Sequence, residues 1–406
     1  MRELTVDASQ YLLTSDVLLT LQLRTDNEPL LPNLRSLECE AASEAFIPFI
    51  PLFLSPGTIE ITLKFAASAP TVMVASAIAR LSKLCPNIQF LHLDVLPRNR
   101  VITEAASELL LGCNQDTLQR FFVNSPLNED ARGYLHKFPK LRRLWAFIQG
   151  PTWLPPAGLP DLETIYVRWD SGHDWLQGFR GATIGKLKTV TFCSTSESQL
   201  DGFLEEFQSV ALTTSIQASL SGFSFRTSRS WAPNYSSPLG FKQLTALEVE
   251  FSCRDGCSSK VDDDIITSLA RAMPKLEILR LGKAPCSALA GVTLRGLVAL
   301  ASHCIQLSEL RVHLEAKELA KATTSTEPPC LSENAPTVLR ASCALTNLQV
   351  GETPIEPQIV SAVALTLLQI FPRIHNVEYV DPRWESVKET IKLFKRIGGH
   401  IDHTSK

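Results

Sequence analysis

The sequence predicts an α/β solenoid, a chain of repeating strand–helix units, from three observations. An apolar triplet with the spacing leucine-x-x-leucine-x-leucine recurs through the 406 residues. Within each triplet apolar and variable residues alternate, which is the period of a half-buried strand. The stretches between triplets carry apolar residues at helical spacing. A fixed triplet that recurs every few tens of residues is the signature of a repeat architecture. The eleven triplets are Leu34/Leu37/Cys39, Ile88/Leu91/Leu93, Leu118/Phe121/Val123, Leu141/Leu144/Ala146, Leu162/Ile165/Val167, Leu187/Val190/Phe192, Leu244/Leu247/Val249, Leu276/Leu279/Leu281, Leu307/Leu310/Val312, Leu345/Leu348/Val350 and Ile374/Val377/Tyr379.

Three further strands are predicted where the triplet itself is absent. Residues 58–65 (TIEITLKF) alternate clearly, and a degenerate strand is expected near 215–226. The earliest strand is placed in the apolar run at 17–23 (VLLTLQL). With these strands the chain holds about thirteen or fourteen units, and stacking is obligatory because one unit cannot bury its apolar face alone.

Helices are predicted between the strands from their 3.6-residue apolar period. Parallel strands are expected on the concave side of a curved horseshoe, with the helices on its convex side. Asp262, Asp263 and Asp264 lie at the start of the stretch 261–272 and suit a helix N-terminus, where negative charge is favoured. The helical stretches are 71–84, 198–211, 261–272, 291–303, 355–370 and 384–397.

The domain organisation follows from these units. Residues 1–16 are an N-terminal segment, 17–383 the solenoid, and 384–406 a C-terminal capping helix and tail. Two polar insertions rich in Ser, Thr and Pro, near 226–240 and 321–337, are read as loops.

Composition restricts the partners. The formal net charge of -3 argues against a nucleic-acid binder, which would present a basic face. The sequence has no stretch long and apolar enough for a membrane span, and no signal peptide is recognised, so no membrane partner is expected. The ten cysteines lack regular spacing. Reduced thiols, and therefore a cytoplasmic or nuclear location, are the expectation.

The sequence motifs predict no enzymatic activity, no cofactor and no bound metal. The stretch 181–187 (GATIGKL) lacks the glycine spacing and the hydroxyl residue of a phosphate-binding loop. Cys253 and Cys257 have no second ligand pair at zinc spacing. His173 lies beside two aspartates but no nucleophile accompanies it. No catalytic residue is therefore assigned.

The candidate binding surface lies on the strand positions that point away from the leucine core. Successive strand residues face opposite sides of a sheet, so the residue between the last two triplet positions is directed onto the concave face. Three consecutive units place aromatic rings there, with arginines nearby, and such residues dominate interface energetics. Shielding by a loop, or a register shifted by one residue, would remove the site. The proposed partner-binding residues are Phe90, Arg120, Phe122, Arg143, Trp145, Phe147, Tyr166 and Arg168.

Three sequence segments resemble the leucine-rich repeats of F-box proteins, namely 85–93 (CPNIQFLHL), 273–281 (MPKLEILRL) and 303–312 (HCIQLSELRV). Residues 30–39 followed by 49–65 are similar to the F-box-like families of mushroom-forming fungi. The resemblance implies a leucine-rich-repeat solenoid that recognises substrates for an SCF-type ubiquitin ligase. The opening residues lack the F-box, which docks on the adaptor Skp1. Skp1 is thus expected as a partner only if an F-box exists upstream.

Two functions remain open at this point. The leading interpretation is a protein–protein recognition module that binds a protein on its concave face. The alternative is a small-molecule sensor, as in plant hormone receptors of the fold that the repeats resemble. In that case Arg120, Arg143 and Arg168 would hold an anionic ligand in the concave pocket.

Overall fold

The computed structural model describes residues 1–7, 15–24, 28–95, 99–148, 158–169, 184, 186–194, 206–207, 209, 211, 220–227, 240–251, 261–282, 291–324, 343–351 and 353–402. In these residues fourteen strands form one sheet whose spatial order is the order of the chain. The strands are β1 Glu3–Asp7, β2 Ser36–Ala42, β3 Glu60–Phe65, β4 Phe90–Asp94, β5 Arg120–Pro126, β6 Arg143–Ile148, β7 Thr164–Trp169, β8 Thr189–Ser194, β9 Gly222–Thr227, β10 Ala246–Phe251, β11 Ile278–Leu281, β12 Glu309–Arg311, β13 Asn347–Gly351 and β14 Asn376–Tyr379.

Helices connect many of these strands. Residues 71–84, 261–272, 291–303, 355–370 and 384–397 are helical for most of their predicted lengths, whereas most of 198–211 lies outside the described residues. The described α-helices are α1 Ser15–Arg24, α2 Thr71–Leu84, α3 Arg100–Gly112, α4 Glu129–Tyr134, α5 Asp263–Ala272, α6 Leu294–His303, α7 Ala316–Thr324, α8 Val360–Ile370 and α9 Trp384–Asp402. Short 3-10 helices occur at Ile47–Phe53, Leu135–Lys137 and Pro357–Ile359.

The predicted core positions are buried wherever their burial is described, except Tyr379 of the last triplet, which is half-buried. In one triplet Leu276, Leu279 and Leu281 are all buried, while the intervening Arg280 is half-buried on the other side of the strand. The hydrogen-bonded pairs place equivalent triplet positions side by side, as in Leu247 beside Leu279 in a parallel ladder. Parallel strands that alternate with helices and bury a leucine triplet form a leucine-rich-repeat solenoid of the α/β class.

A turn before many of the strands explains why proline precedes many triplets. The backbone N–H of Leu276 donates to the carbonyl oxygen of Met273 at 3.1 Å, and Pro274 occupies the second turn position, where its fixed φ is favourable. Met273 is itself buried, so the repeat has a fourth core position three residues before the first leucine. The same bond joins Leu141 to Phe138, Leu162 to Leu159, Leu187 to Ile184, Leu244 to Phe241, Leu307 to Cys304 and Ile374 to Phe371.

The predicted strand at 17–23 is wrong, because these residues belong to α1. Leu18 is buried and Leu21 is half-buried, a spacing of three that fits one face of a helix and not a strand. The first strand is β1, inside the segment predicted to precede the repeats, and it pairs in parallel with β2.

The acidic run before α5 has two separate structural roles. Asp262 caps α5, since its carboxylate accepts the backbone N–H groups of Asp264 at 3.1 Å and Ile265 at 3.0 Å, as predicted. Asp263 reaches the next repeat and accepts the N–H groups of Thr293 at 2.9 Å and Gly296 at 3.1 Å, at the start of α6. One aspartate thus fixes its own helix, and the other ties it to its neighbour.

The chain divides into two compact units. Unit 1 contains the described residues up to Val190, and unit 2 contains those from Thr191 onward. At the end of unit 2, α9 packs through Trp384, which is fully buried and donates its indole N–H to the carbonyl oxygen of Thr353 at 2.7 Å. A helix at the predicted capping position is therefore present.

Candidate functional site

Strands β4 to β7 of unit 1 carry a row of rings on the side of the sheet opposite the leucine core. The register pairs His92 with Phe122, Phe122 with Trp145, and Trp145 with Tyr166. All four side chains are half-buried. Their neighbours along the strand are buried wherever the burial of those neighbours is described. This side of the strands in unit 1 is called the open face below.

The rings pack against one another across the strands. The Trp145 ring centroid lies 3.9 Å from that of Tyr166, 5.9 Å from that of Phe122 and 6.3 Å from that of His92. Phe90, two residues before His92 on β4, makes an edge contact with Phe122, with the ring centroids 5.6 Å apart. Such pairs are worth about 0.5–1.5 kcal/mol each beyond the area they bury, so the row is a preorganised surface.

Three arginines accompany the rings on β5, β6 and β7. Arg120 lies over the Phe90 ring, with its guanidinium carbon 5.8 Å from the centroid. Arg143 is exposed beside Arg120 in the register, and Arg168 is half-buried on the last of these strands. In the described part of the chain, no carboxylate lies within ion-pair distance of the three arginines.

Two nitrogen atoms in the same region are buried without an acceptor among the described residues. They are the indole Nε1 of Trp145 and the Nε of Arg168. A buried donor that lacks a partner costs about 1–3 kcal/mol, and a bound molecule that supplies an acceptor would recover that cost. Both residues were in the set predicted from the sequence.

The prediction for Phe147 is wrong. Its side chain is only 2% exposed, so it offers no contact surface. The register between β5 and β6 shifts after Trp145, and Phe147 consequently pairs with the buried Pro126. The pairing of β6 with β7 stays regular, with Phe147 opposite Arg168, so the irregularity lies on β5 between Phe122 and Pro126.

The opposite end of the open face, on β1 to β3, is acidic. Glu38 and Glu40 alternate with the core residues of β2, and Lys64 of β3 forms an ion pair with Glu40. Glu38 accepts a hydrogen bond from the hydroxyl of Thr5 at 3.4 Å. The triplet register alone places these residues on the open face.

His92 lies between the acidic end and the rings. Burial lowers the pKa of its imidazole below the ordinary value of 6.5, and nearby Lys64 acts in the same direction, whereas Asp94 and the glutamates of β2 oppose the shift. The neutral ring therefore predominates at neutral pH and packs as an aromatic neighbour of Phe122 at 5.7 Å.

The corresponding face of unit 2 is built differently. Arg280 of β11 is held by Glu309 through two bonds of 2.7 and 2.8 Å, and by Glu248 at 2.6 Å. Arg311 contacts Glu250 at 2.5 Å. The Glu309 interaction raises the pKa of Arg280 above its ordinary value. Each of these arginines already has a carboxylate partner, although Nε of Arg311 is buried without an acceptor among the described residues.

The other candidate residues contribute little to a site. His173, Cys253 and Cys257 lie outside the described residues, as does most of 181–187. Within the described ranges no cluster of three or more His, Cys, Asp or Glu side chains could hold a metal ion. No described helix combines the length and the apolarity needed to cross a bilayer.

Comparison with known proteins adds little to this geometry. No family model and no curated protein matches the sequence. A search of solved structures finds the "Crystal structure of LRIM1/APL1C complex", at 10% sequence identity and a TM-score of 0.26, over 92% of this chain and 69% of that one. A likeness of this size carries no argument about function, and the fold is assigned from the sheet and its buried triplets.

Proposed function

We propose that this chain is a protein-recognition module that binds its partner through the open face of unit 1. The observation that carries the proposal is the contrast between the two units. Unit 1 presents packed rings beside arginines without carboxylate partners in the described chain, whereas Arg226, Arg280 and Arg311 on the strands of unit 2 are paired with glutamates. Aromatic and arginine side chains exposed together are the usual hot-spot residues of interfaces.

The class of partner comes from the resemblance of the repeats to those of F-box proteins. We propose that the bound protein is a substrate presented for ubiquitination. Leucine-rich repeats supply an extended surface and no chemistry of their own, which fits a subunit that selects a protein for another component to modify.

A photo-crosslinking amino acid placed at Thr164 tests recognition directly. Thr164 pairs with Arg143 on the open face, and Asn347 occupies the equivalent strand position in unit 2. In native cells the probe at Thr164 should capture a defined protein, and the probe at Asn347 should not. Trp145→Ala should abolish the capture, whereas Gln349→Ala, at the same repeat position in unit 2, should leave it intact.

Each outcome separates the two parts of the proposal. Equal capture from both probes, or capture indifferent to Trp145→Ala, would reject the open face of unit 1 as the interface. A specifically captured protein should lose ubiquitin conjugates and persist longer when the chain is deleted. If its lifetime is unchanged, recognition stands and the ligase role is rejected.

A small-molecule sensor is the second candidate, favoured by the two unpartnered donors. Trp145 Nε1 and Arg168 Nε would suit an anion that accepts hydrogen bonds. Isothermal titration of the purified chain with small dicarboxylates and inorganic phosphate tests this function. Saturable binding that is lost in both Arg168→Gln and Trp145→Phe variants would favour it over the protein partner.

A further inference from the structure

The open face of unit 1 is divided by charge. Its β1 to β3 part carries five carboxylates and a single lysine, and its β5 to β7 part carries three arginines and no acidic residue. From this division we infer that the partner segment is an extended peptide whose acidic and basic residues are grouped at opposite ends. The inference rests on the proposed recognition function and specifies the chemistry of what is recognised.

The basic part would receive the acidic end of the peptide. Arg120 and Arg143 are exposed neighbours in the register, and Arg168 lies two residues beyond Tyr166 on the adjacent strand. None of the three has a carboxylate partner in the described chain. Carboxylates of a ligand would therefore form new charge-assisted bonds and would not have to displace existing ones.

The acidic part would receive the basic end. Lys64 forms an ion pair with Glu40, and the exposed Glu3 and Glu60 with the half-buried Glu38 add further negative charge to these strands. Asp94, on the strand between the two parts, is bound by the side-chain amide of Asn124 at 2.9 Å. The face therefore changes sign across β4, which is where the ring row begins. The carboxylates of the acidic part are Glu3, Asp7, Glu38, Glu40 and Glu60.

The dimensions favour a peptide over a small ion. From β2 to β6 there are four strand spacings, each about 4.8 Å, so the charged groups are about 19 Å apart along the sheet. An extended chain covers that distance with about six residues at roughly 3.3 Å each. The rings lie between the ends and would take an apolar side chain. One small anion cannot contact both ends.

The charge pattern predicts a binding preference that composition alone cannot produce. Two fluorescein-labelled nine-residue peptides would be compared on the purified 406-residue chain by fluorescence anisotropy. The first has three glutamates, Leu-Phe-Leu and three lysines in that order, and the second has the same residues with the charges alternating. We expect the segregated peptide to bind about tenfold more tightly at low salt, since several weak pairs add. The preference should shrink to under about threefold in 1 M NaCl.

Charge reversal supplies the matched control. The double variant Arg120→Glu with Arg143→Glu should bind the segregated peptide about tenfold more weakly than wild type does. It should bind a second peptide, in which lysines replace the glutamates, more tightly than wild type does. Arg271→Glu with Lys275→Glu makes the same change of net charge at exposed positions of unit 2 and should leave both affinities unchanged.

Several results would overturn the inference. They are equal affinity for the two peptides, no measurable binding of the segregated peptide, or competition by millimolar glutarate or phosphate alone. If capture at Thr164 still depends on Trp145 in that case, the recognition function stands and the charge preference is rejected. If capture also fails, the proposed function falls with it.

Discussion

Replacing Trp145 with alanine should destabilise unit 1 by an intermediate amount. The sequence pattern alone predicts little effect on folding, because the residue points away from the leucine core. The structure revises this expectation, since the substitution deletes ring contacts with Tyr166 at 3.9 Å and Phe122 at 5.9 Å. Two aromatic pairs at about 0.5–1.5 kcal/mol each give a loss of roughly 1–3 kcal/mol.

Two other substitutions calibrate that value. Phe121, which precedes Phe122 on β5, is fully buried on the core side, and Phe121→Ala should cost about 3–5 kcal/mol. Gln349→Ala in unit 2 deletes one side-chain hydrogen bond to Glu309 at 3.1 Å and should cost about 1 kcal/mol or less. The three variants therefore form a graded series of core, open-face ring and polar face.

The assay must report on unit 1 separately, because a chain with two compact units need not unfold in one step. Urea denaturation, monitored by hydrogen exchange in peptides that cover residues 141–148, measures the local free energy of opening. If Trp145→Ala costs as much as Phe121→Ala, the ring belongs to the core and the assigned face is wrong. If it costs nothing, the ring contacts do not hold in solution.

Four further outcomes are expected. Arg280→Met removes the cation shared by two glutamates and should lower the free energy of unfolding by about 1–3 kcal/mol at low salt and less in 1 M NaCl; salt-independent loss in urea denaturation would contradict the ion-pair explanation. Burial lowers the pKa of His92 although Asp94 opposes it, so its proton is bound more readily in the unfolded chain, and stability should fall as pH decreases through 6.5 towards the lower folded-state pKa. The urea midpoint of His92→Phe, compared with that of wild type at pH 8 and pH 5, should show a smaller acid loss, and an equal loss would exclude this residue. Burial raises the pKa of the Cys85 and Cys304 thiols to about 12, so iodoacetamide at pH 8 should label them quickly in urea and slowly in the native chain; mass mapping that finds equal rates would show that they are accessible. Residues 1–406 should not form a stoichiometric complex with Skp1 on gel filtration, because Glu3–Asp7 pairs with β2 in the sheet and is not available as a separate docking segment; a stable complex would contradict that reasoning.

Much of the fold could be predicted because the repeat reports both strand position and facing. Each triplet fixes which residues are buried, and residues 58–65 could be added from alternation alone. The run at 17–23 failed because it is apolar at nearly every position and has no clear period. The true first strand, Glu3–Asp7, alternates plainly but is only five residues long. Short strands are weak signals without their neighbours.

The candidate site was predicted in part for the same reason. The register placed Phe122, Trp145 and Tyr166 in one row, as the structure has them. The burial of Phe147 depends on a register shift between two strands, which no pattern within one strand records. The ion pairs of Arg280 also depend on neighbouring repeats, although aligning the triplets would have put it beside Glu248.

The turn that leads into many of the strands affects how freely the outward-facing residues of the sheet can be substituted. Because that turn is closed by backbone atoms and buried apolar side chains, the residues facing outward on the following strand take no part in holding it. Outward positions can therefore be recoded one repeat at a time at the cost of their own cross-strand contacts, which is roughly 1–3 kcal/mol for Trp145. Members of libraries randomised at the outward positions of β4 to β7 should differ in stability by such amounts while the leucine core and the turns stay unchanged, so selection can explore new specificities without renewed optimisation of the interior.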